Sequence, residues 1–238
     1  MKKSIKRALL IITVIVVLFI GTGLYYYIPM LTMASVKAGK IQNTNVTVVN
    51  AMSAVYFIKT ESGYIMIDAG LSAKSLAQSM KEASINPGEV KWIFLTHSDG
   101  DHVGGLTLFP YAEIHISEDE FPLLNGEKKR SVFGGNKMPS GIDINNFILL
   151  HGGQELLLDG IKINCIKAPG HTPGSMVFLA DGKYLFTGDV LKIKDGAESV
   201  HPYSMDKALS KKTIQQLKEI INGSSIIFTS HYGVNPYR

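Results

Sequence analysis

Apolar and polar positions divide the chain into one long apolar stretch followed by a longer, mixed part. No residue in 8–36 is charged, and residues 8–28 are apolar apart from Thr13, Gly21, Thr22, Gly23, Tyr25, Tyr26 and Tyr27. At about 1.5 Å per helical residue such a stretch reaches roughly 30 Å, the thickness of a bilayer's hydrocarbon core. Lys2, Lys3, Lys6 and Arg7 precede it, and the three tyrosines stand where an aromatic belt would lie. Excess positive charge stays on the cytoplasmic side. The expected arrangement is therefore a cytoplasmic flank, residues 1–7, a single-pass transmembrane signal-anchor, residues 8–28, and an extracellular remainder in the cell membrane. A cleaved signal is the alternative, with small residues at Met33-Ala34-Ser35 and Val36-Lys37-Ala38. The apolar run exceeds the usual signal core of about 7–15 residues, which favours the anchor.

Residues 29–44 read as a tether. Alternating or continuous short apolar runs then predict strands at 46–49, 54–60 and 64–68, the last two joined by the hairpin signal Glu61-Ser62-Gly63. Residues 73–84 have helical spacing and stop before the turn Asn86-Pro87-Gly88. Strands are predicted at 91–96 and 112–116, with a helix between them ending near Pro110. After a helix at 118–124, the polar, Gly-rich segment to Asn146 reads as an exposed loop or lid, its run Glu127-Lys128-Lys129-Arg130 as a solvated face. Strands return at 147–150, 155–158, 161–168, 175–180 and 184–187. A helix at 205–221 precedes a last strand at 225–229. Two runs of strands, each followed by helices, predict an α+β domain over residues 45–238, with two packed sheets and helices outside.

Charge and cysteine content narrow the classes. The formal charge of +4 comes from the four basic residues before the apolar stretch, because acidic and basic residues balance beyond Arg7. The neutral domain carries no electrostatic footprint for nucleic acid, which is not expected as a partner. With one cysteine, Cys165, no internal disulfide can form. Its alternating surroundings mark it as a core residue.

Candidate chemistry gathers where predicted strands run out. Thr96-His97-Ser98-Asp99-Gly100-Asp101-His102-Val103-Gly104-Gly105 places four potential ligands within six residues. His171 follows a strand in Ala168-Pro169-Gly170-His171-Thr172-Pro173-Gly174, Asp189 follows Thr187-Gly188, and His231 follows Thr229-Ser230. Loops at one edge of a sheet commonly present functional groups. Imidazoles and acids gathered together are costly unless a cation neutralises them, so the set fits a metal better than a proton-transfer triad. Imidazole and carboxylate suit zinc, and carboxylate also suits manganese or iron. No nucleophile elbow and no phosphate-binding Gly-Lys-Ser/Thr loop occurs. His115 reads as structural and His151 as a turn residue.

With these motifs in order (Ile67-Asp68-Ala69-Gly70, then THSDGDHVGG, PGHTPGS, FTGD and a late SH), the chain resembles the metallo-β-lactamase superfamily. The resemblance runs from Val46 to the C-terminus and implies a four-layered αββα sandwich binding two divalent ions, with zinc the expected metal and manganese or iron alternatives. It implies that His97, Asp99 and His171 serve one ion, Asp101, His102 and His231 the other, and that Asp189 bridges them. A hydroxide between the ions would be the nucleophile, Asp101 would orient or deprotonate the attacking water, and Asp68 would steady the ligand loop. Asp99 stands where the family normally has histidine. With two divalent ions, three carboxylates and one hydroxide the formal charges then cancel, which tilts the site toward harder ions and leaves a one-metal site open.

The implied activity is hydrolysis of an ester, thioester, lactone or amide-like bond in a small molecule. The PGHTPGS and TGD motifs resemble the glyoxalase II-like branch. Only Tyr232 to Arg238 follow the last ligand, so glutathione thioesters are not the expected substrate. His201 and Tyr232 are candidate substrate contacts. His-x-Asp-x-Asp-His also resembles the metal motif of bacterial DNA-uptake channels, which makes a phosphodiesterase or nuclease the alternative. The third alternative is an anchored binding domain impaired by Asp99.

Overall fold

The computed structural model describes the chain apart from residues 1, 32, 34, 35, 131–137, 195, 222–225 and 237–238. The glycine-rich part of the expected lid, the Ala34-Ser35 cleavage candidate and the expected start of the last strand at Ser225 lie outside the described residues. The chain divides into two units, Met1–Ala34 and Ser35–Arg238.

The first unit is a single helix, α1 (Lys2–Leu31). Its described large apolar side chains are exposed, among them Leu10, Val17, Leu18 and Phe19. Among the described residues no helix is long and apolar enough to cross a membrane.

The second unit contains two sheets. One runs in chain order: β1 (Gly39–Lys40), β2 (Val46–Ala51), β3 (Ser53–Lys59), β4 (Tyr64–Ile67), β5 (Val90–Leu95), β6 (Glu113–Ser117) and β7 (Phe147–Leu150). Its first four strands pair antiparallel and the rest parallel. The other takes β8 (Glu155–Leu158), β9 (Ile161–Lys167), β10 (Met176–Ala180) and β11 (Tyr184–Gly188) as an antiparallel meander. A hairpin, β12 (Leu191–Lys194) with β13 (Ala197–Val200), follows as a separate two-stranded ribbon. β14 (Ile226–Thr229) then joins β11 in parallel, and β15 (Val234–Pro236) closes the edge.

Alternate residues of the central strands enter different cores, as a period of two requires. Tyr56, Ile58, Ile65, Ile67 and Phe94 of the first sheet meet Cys165, Phe178, Phe186 and Phe228 of the second in an inner core. The opposite faces of both sheets are covered. Phe57, Met66 and Ile93 pack on Leu76 and Met80 of α2 (Ala73–Glu82). Val177, Leu185 and Ile227 pack on Ile214 and Leu217 of α5 (Lys207–Ile220) and on Leu191 and Ile193 of the hairpin. Three cores between four layers give the expected αββα sandwich.

Several local expectations are corrected. The motif itself contains α3 (Gly100–Val103), and the helix expected after it is only a 3-10 turn at Leu106–Leu108, because Gly104 N and Gly105 N donate to the carbonyls of Gly70 and Ala69, drawing the chain onto the neighbouring loop. The helix expected at 118–124 shrinks to α4 (Phe121–Leu124), because Glu120 turns inward. Within the segment read as a tether, whose order the sequence leaves open, Val36 is buried in the inner core and β1 pairs with β2. The β12–β13 hairpin and β15 carried no recognised signal.

Candidate metal centre

The parallel strands β4 and β5 end at the same edge of the first sheet, and β9, β11 and β14, running in one direction, end together in the second. The sheets are bonded to each other at that edge: Met176 N donates to Thr96 O at 2.9 Å, and Ala54 N to Ser230 O at 2.9 Å. Asp68 follows β4, His97 follows β5, His171 follows β9, Asp189 follows β11 and His231 follows β14. With Asp99, Asp101 and His102 in the segment after β5, the seven residues read as ligands from the sequence come together in overlapping groups.

Asp68 organises the first sheet's contribution. It adopts a left-handed backbone, φ 60°, uncommon for a non-glycine residue and a form of local strain found at functional sites. Its Oδ2 faces His102 Nδ1 at 2.8 Å, and its oxygens accept from Thr96 N at 2.8 Å and Thr96 Oγ1 at 2.9–3.0 Å. The Thr96 hydroxyl, donating to Asp68, is left to accept from His97 Nδ1 at 3.0 Å. One carboxylate thus sets the tautomer of two imidazoles, leaving each Nε2 as a lone-pair donor. Asp189 is aimed by Gly188, whose φ of +54° lies at a break in the β11–β14 register and whose missing Cβ would stand 2.4 Å from Thr96 Oγ1.

Two donor sets result. On one side His97 Nε2 and His171 Nε2 lie 3.4 and 3.2 Å from Asp99 Oδ2. On the other, Asp101 Oδ2 lies 3.2 Å from His231 Nε2 and 3.7 Å from His102 Nε2. Asp189 stands between them, with Oδ2 3.8 Å from both His102 and His171 and Oδ1 3.5 Å from His231. The ligand atoms of His97, Asp99 and His171 lie within 4.8 Å of one another, and so do those of Asp101, His102 and His231.

The donor chemistry fits divalent ions. His97 Nε2, His102 Nε2 and Asp189 Oδ1 are buried without a hydrogen-bond partner, which a folded chain tolerates where another group satisfies them. The acids also call for positive charge. Burial opposes protonation of His102, yet Asp68, Asp101 and Asp189 lift its pKa to about 10. Burial likewise works to raise Asp189, but His201, His231, His102 and His171 outweigh it and hold the acid far below the ordinary carboxylate range. Burial dominates at His171, pushing it down to about 4 and favouring the neutral imidazole that a metal needs.

The remaining histidines separate clearly. His115 stacks on Phe94 at 4.5 Å in the inner layers, and His151 is exposed beside Glu118. His201 and Tyr232 lie at the centre: His201 Nε2 is 3.6 Å from Asp189 Oδ2, and the two rings are 5.8 Å apart. Cys165 is buried in the core as expected.

Two residues were missed. Glu120 is fully buried and accepts from Ser98 N, Ser98 Oγ, Thr172 Oγ1 and Gly174 N, tying the His97 loop to the His171 loop. Arg130 corrects the reading of its charged run as a solvated face. Its Nε donates to Asp99 Oδ1 at 2.7 Å, and its Nη atoms donate to the carbonyls of His171 and Tyr203 at 3.2 Å each and meet His171 Nε2 at 3.1 Å, where a bound ion would take over the imidazole nitrogen. The buried acid and its partners draw it inward, and no periodicity marks it.

The model of the metallo-beta-lactamase superfamily matches residues 49–231. The protein YobT of Bacillus subtilis is 35% identical over 59% of this chain and 63% of its own. The hydroxyacylglutathione hydrolase GloC of Haemophilus influenzae is 31% identical over 55% of this chain and 62% of its own. An N-acyl homoserine lactonase from a Bacillus species is 22% identical over 74% and 79%. The chain spans 52% to 63% of the length of several curated relatives that it matches. Among solved structures, a beta-lactamase from Chitinophaga pinensis superposes with a TM-score of 0.64 at 22% identity, covering 83% of this chain and 79% of that one. The match of residues 49–231 takes in every strand-end loop that feeds the centre, and the chain belongs to the metallo-β-lactamase superfamily.

Proposed function

We propose that the protein is a membrane-anchored, extracytoplasmic metal-dependent hydrolase acting on an ester, thioester, lactone or amide-like bond of a small molecule. The observation carrying this reading is the pair of donor sets around Asp189, with the buried Nε2 atoms of His97 and His102 left unpartnered. His97, Asp99 and His171 would hold one ion, Asp101, His102 and His231 the second, with Asp189 shared. Zinc fits the imidazoles best, and the three acids also accept manganese or iron. Ions of this kind lower the pKa of water and polarise a carbonyl.

The chain's own groups supply the rest. Burial opposes ionisation of Asp101, but His102 and His231 hold its pKa at about 2, so its carboxylate stays ready to orient a water or take its proton. Of the three acids it has the most exposed side chain, which places it toward incoming substrate. Tyr232, raised to about 12 chiefly by burial, keeps its hydroxyl proton for a substrate oxygen. That hydroxyl is buried and has no hydrogen-bond partner among the described residues. The hydrolase and lactonase relatives support carbonyl chemistry. The anchor is supported by the uncharged residues 8–28, their basic flank and the exposed apolar side chains of α1.

The test is a substrate panel of p-nitrophenyl acetate, a lactone, nitrocefin and bis-p-nitrophenyl phosphate, run separately with zinc and manganese. Turnover of the carbonyl substrates is expected. Asp189→Ala is expected to lower it by more than about 100-fold, since the outer partners of ligands alone are worth about 10–100-fold. Turnover of the phosphodiester alone would replace this reading with the phosphodiesterase one, and full activity in Asp189→Ala would remove Asp189 from the centre.

A further inference from the structure

We propose that His201 is a metal ligand, joining His171 and Asp189 beside the first donor set and supplying the nitrogen that a histidine at position 99 would give. This rests on the metal-centre reading above and revises it at one donor, with His201 taking the place given there to Asp99.

The β12–β13 hairpin is what brings the residue in. Its register pairs Leu191 with Val200, so the residue after β13 returns beside the residues before β12. Asp189 is just upstream of that strand, and His201 just downstream of its partner. The result is a second triad, in which the ligand atoms of His171, Asp189 and His201 lie within 4.8 Å of one another. All three residues are buried. His201 is 1% exposed, its ring is 4.9 Å from that of His171, and its Nε2 lies 3.6 Å from Asp189 Oδ2. Neither of its ring nitrogens has a hydrogen-bond partner among the described residues. An imidazole with both nitrogens buried and unmet is costly unless a further group satisfies one of them. Two imidazole nitrogens and a carboxylate oxygen grouped this closely make a donor set that suits zinc.

Asp99 keeps Oδ2 3.4 and 3.2 Å from the Nε2 atoms of His97 and His171, but its other oxygen is paired. Its Oδ1 is engaged by Arg130 Nε at 2.7 Å, and the same guanidinium is fixed by the carbonyls of His171 and Tyr203. The ion pair is formally neutral. Adding a neutral His201 to a neutral Asp99–Arg130 pair restores the charge that a histidine at position 99 would give. Asp99 then stands beside the first set as a balancing carboxylate, and His201 donates in its place.

Full-length wild type, His201→Gln and Asp99→Asn are equilibrated with buffered zinc, and bound metal is measured by elemental analysis. Cobalt-loaded samples are compared by visible absorption. His201→Gln is expected to lose one equivalent, or to bind it at least about 10-fold more weakly, as disturbing a ligand shell does, and to shift the cobalt bands. Asp99→Asn is expected to keep both equivalents. Unchanged stoichiometry and spectrum in His201→Gln overturns the proposal and leaves His201 as a substrate contact. Loss in Asp99→Asn of an ion that His201→Gln retains overturns it too. If His201→Gln does not fold, His201→Cys decides the matter: a thiolate-to-cobalt charge-transfer band is expected, and its absence in metal-loaded protein counts against ligation. A wild type holding no metal defeats the metal-centre reading itself, a result distinct from either of these.

Discussion

Both carboxylate oxygens of Glu120 are doubly used, Oε1 by the amide and hydroxyl of Ser98 and Oε2 by Thr172 Oγ1 and Gly174 N. Glu120→Gln sets an amide NH2 against one pair of donors in either orientation. An unmet buried donor costs about 1–3 kcal/mol, and each kcal/mol lowers Tm by roughly 2–4 °C at this size. A Tm fall of several degrees with weakened metal retention is the expected result, and an unchanged melting curve would show that the two loops hold together without this acid. Nothing in the sequence singles it out. Glu118 and Asp119, its neighbours, pair with Lys167 at the surface, and the run reads as one acidic face. Arg130 was hidden in the same way by Lys128 and Lys129. The seven candidate ligands were legible for the opposite reason: they fall in short segments that follow apolar strands, Asp101 and His102 on α3, where an acid or imidazole has no evident packing role.

At the scale of elements, strand ends do the positioning, and the tightest constraint falls at Gly188. It holds φ +54° with its missing Cβ 2.4 Å from Thr96 Oγ1, the hydroxyl that links Asp68 to His97. Gly182 has a comparable φ of +65° and open space around it. Both alanine variants meet the left-handed backbone cost of about 1–2 kcal/mol, but Gly188→Ala also displaces Thr96. Gly188→Ala is therefore expected to melt lower than Gly182→Ala and, unlike it, to lose bound metal. Equal Tm values and metal contents would mean that the Thr96 contact is slack. The central strands were readable because both faces of each are buried in alternation, leaving short, nearly continuous apolar runs. The β12–β13 hairpin was not readable. Leu191 and Ile193 alternate with Lys192 and Lys194, but a four-residue pattern carries little weight, and its pairing with Ala197–Val200 depends on packing over α5. That omission matters, because the hairpin delivers His201.

For the whole molecule the open question is what α1 does. Its exposed Leu10, Val17, Leu18 and Phe19 present apolar surface that water opposes, and single exposed hydrophobes are ordinary where a contiguous set is not. On the proposed topology Lys2, Lys3, Lys6 and Arg7 at its start would face an anionic cytoplasmic leaflet. The second unit has its own three cores and includes Val36, which is 4% exposed, so a shortened chain should begin no later than that residue. The full chain is expected to float with liposomes and to resist extraction by alkaline carbonate. The chain starting at Val36 is expected to stay in the aqueous fraction with a cooperative melting transition and the same metal content. A reporter fused after Arg238 is expected to be active only outside the cytoplasm. If carbonate releases the full chain, α1 does not span. If the reporter works in the cytoplasm, the catalytic unit faces the other way, and the candidate substrates must be sought there.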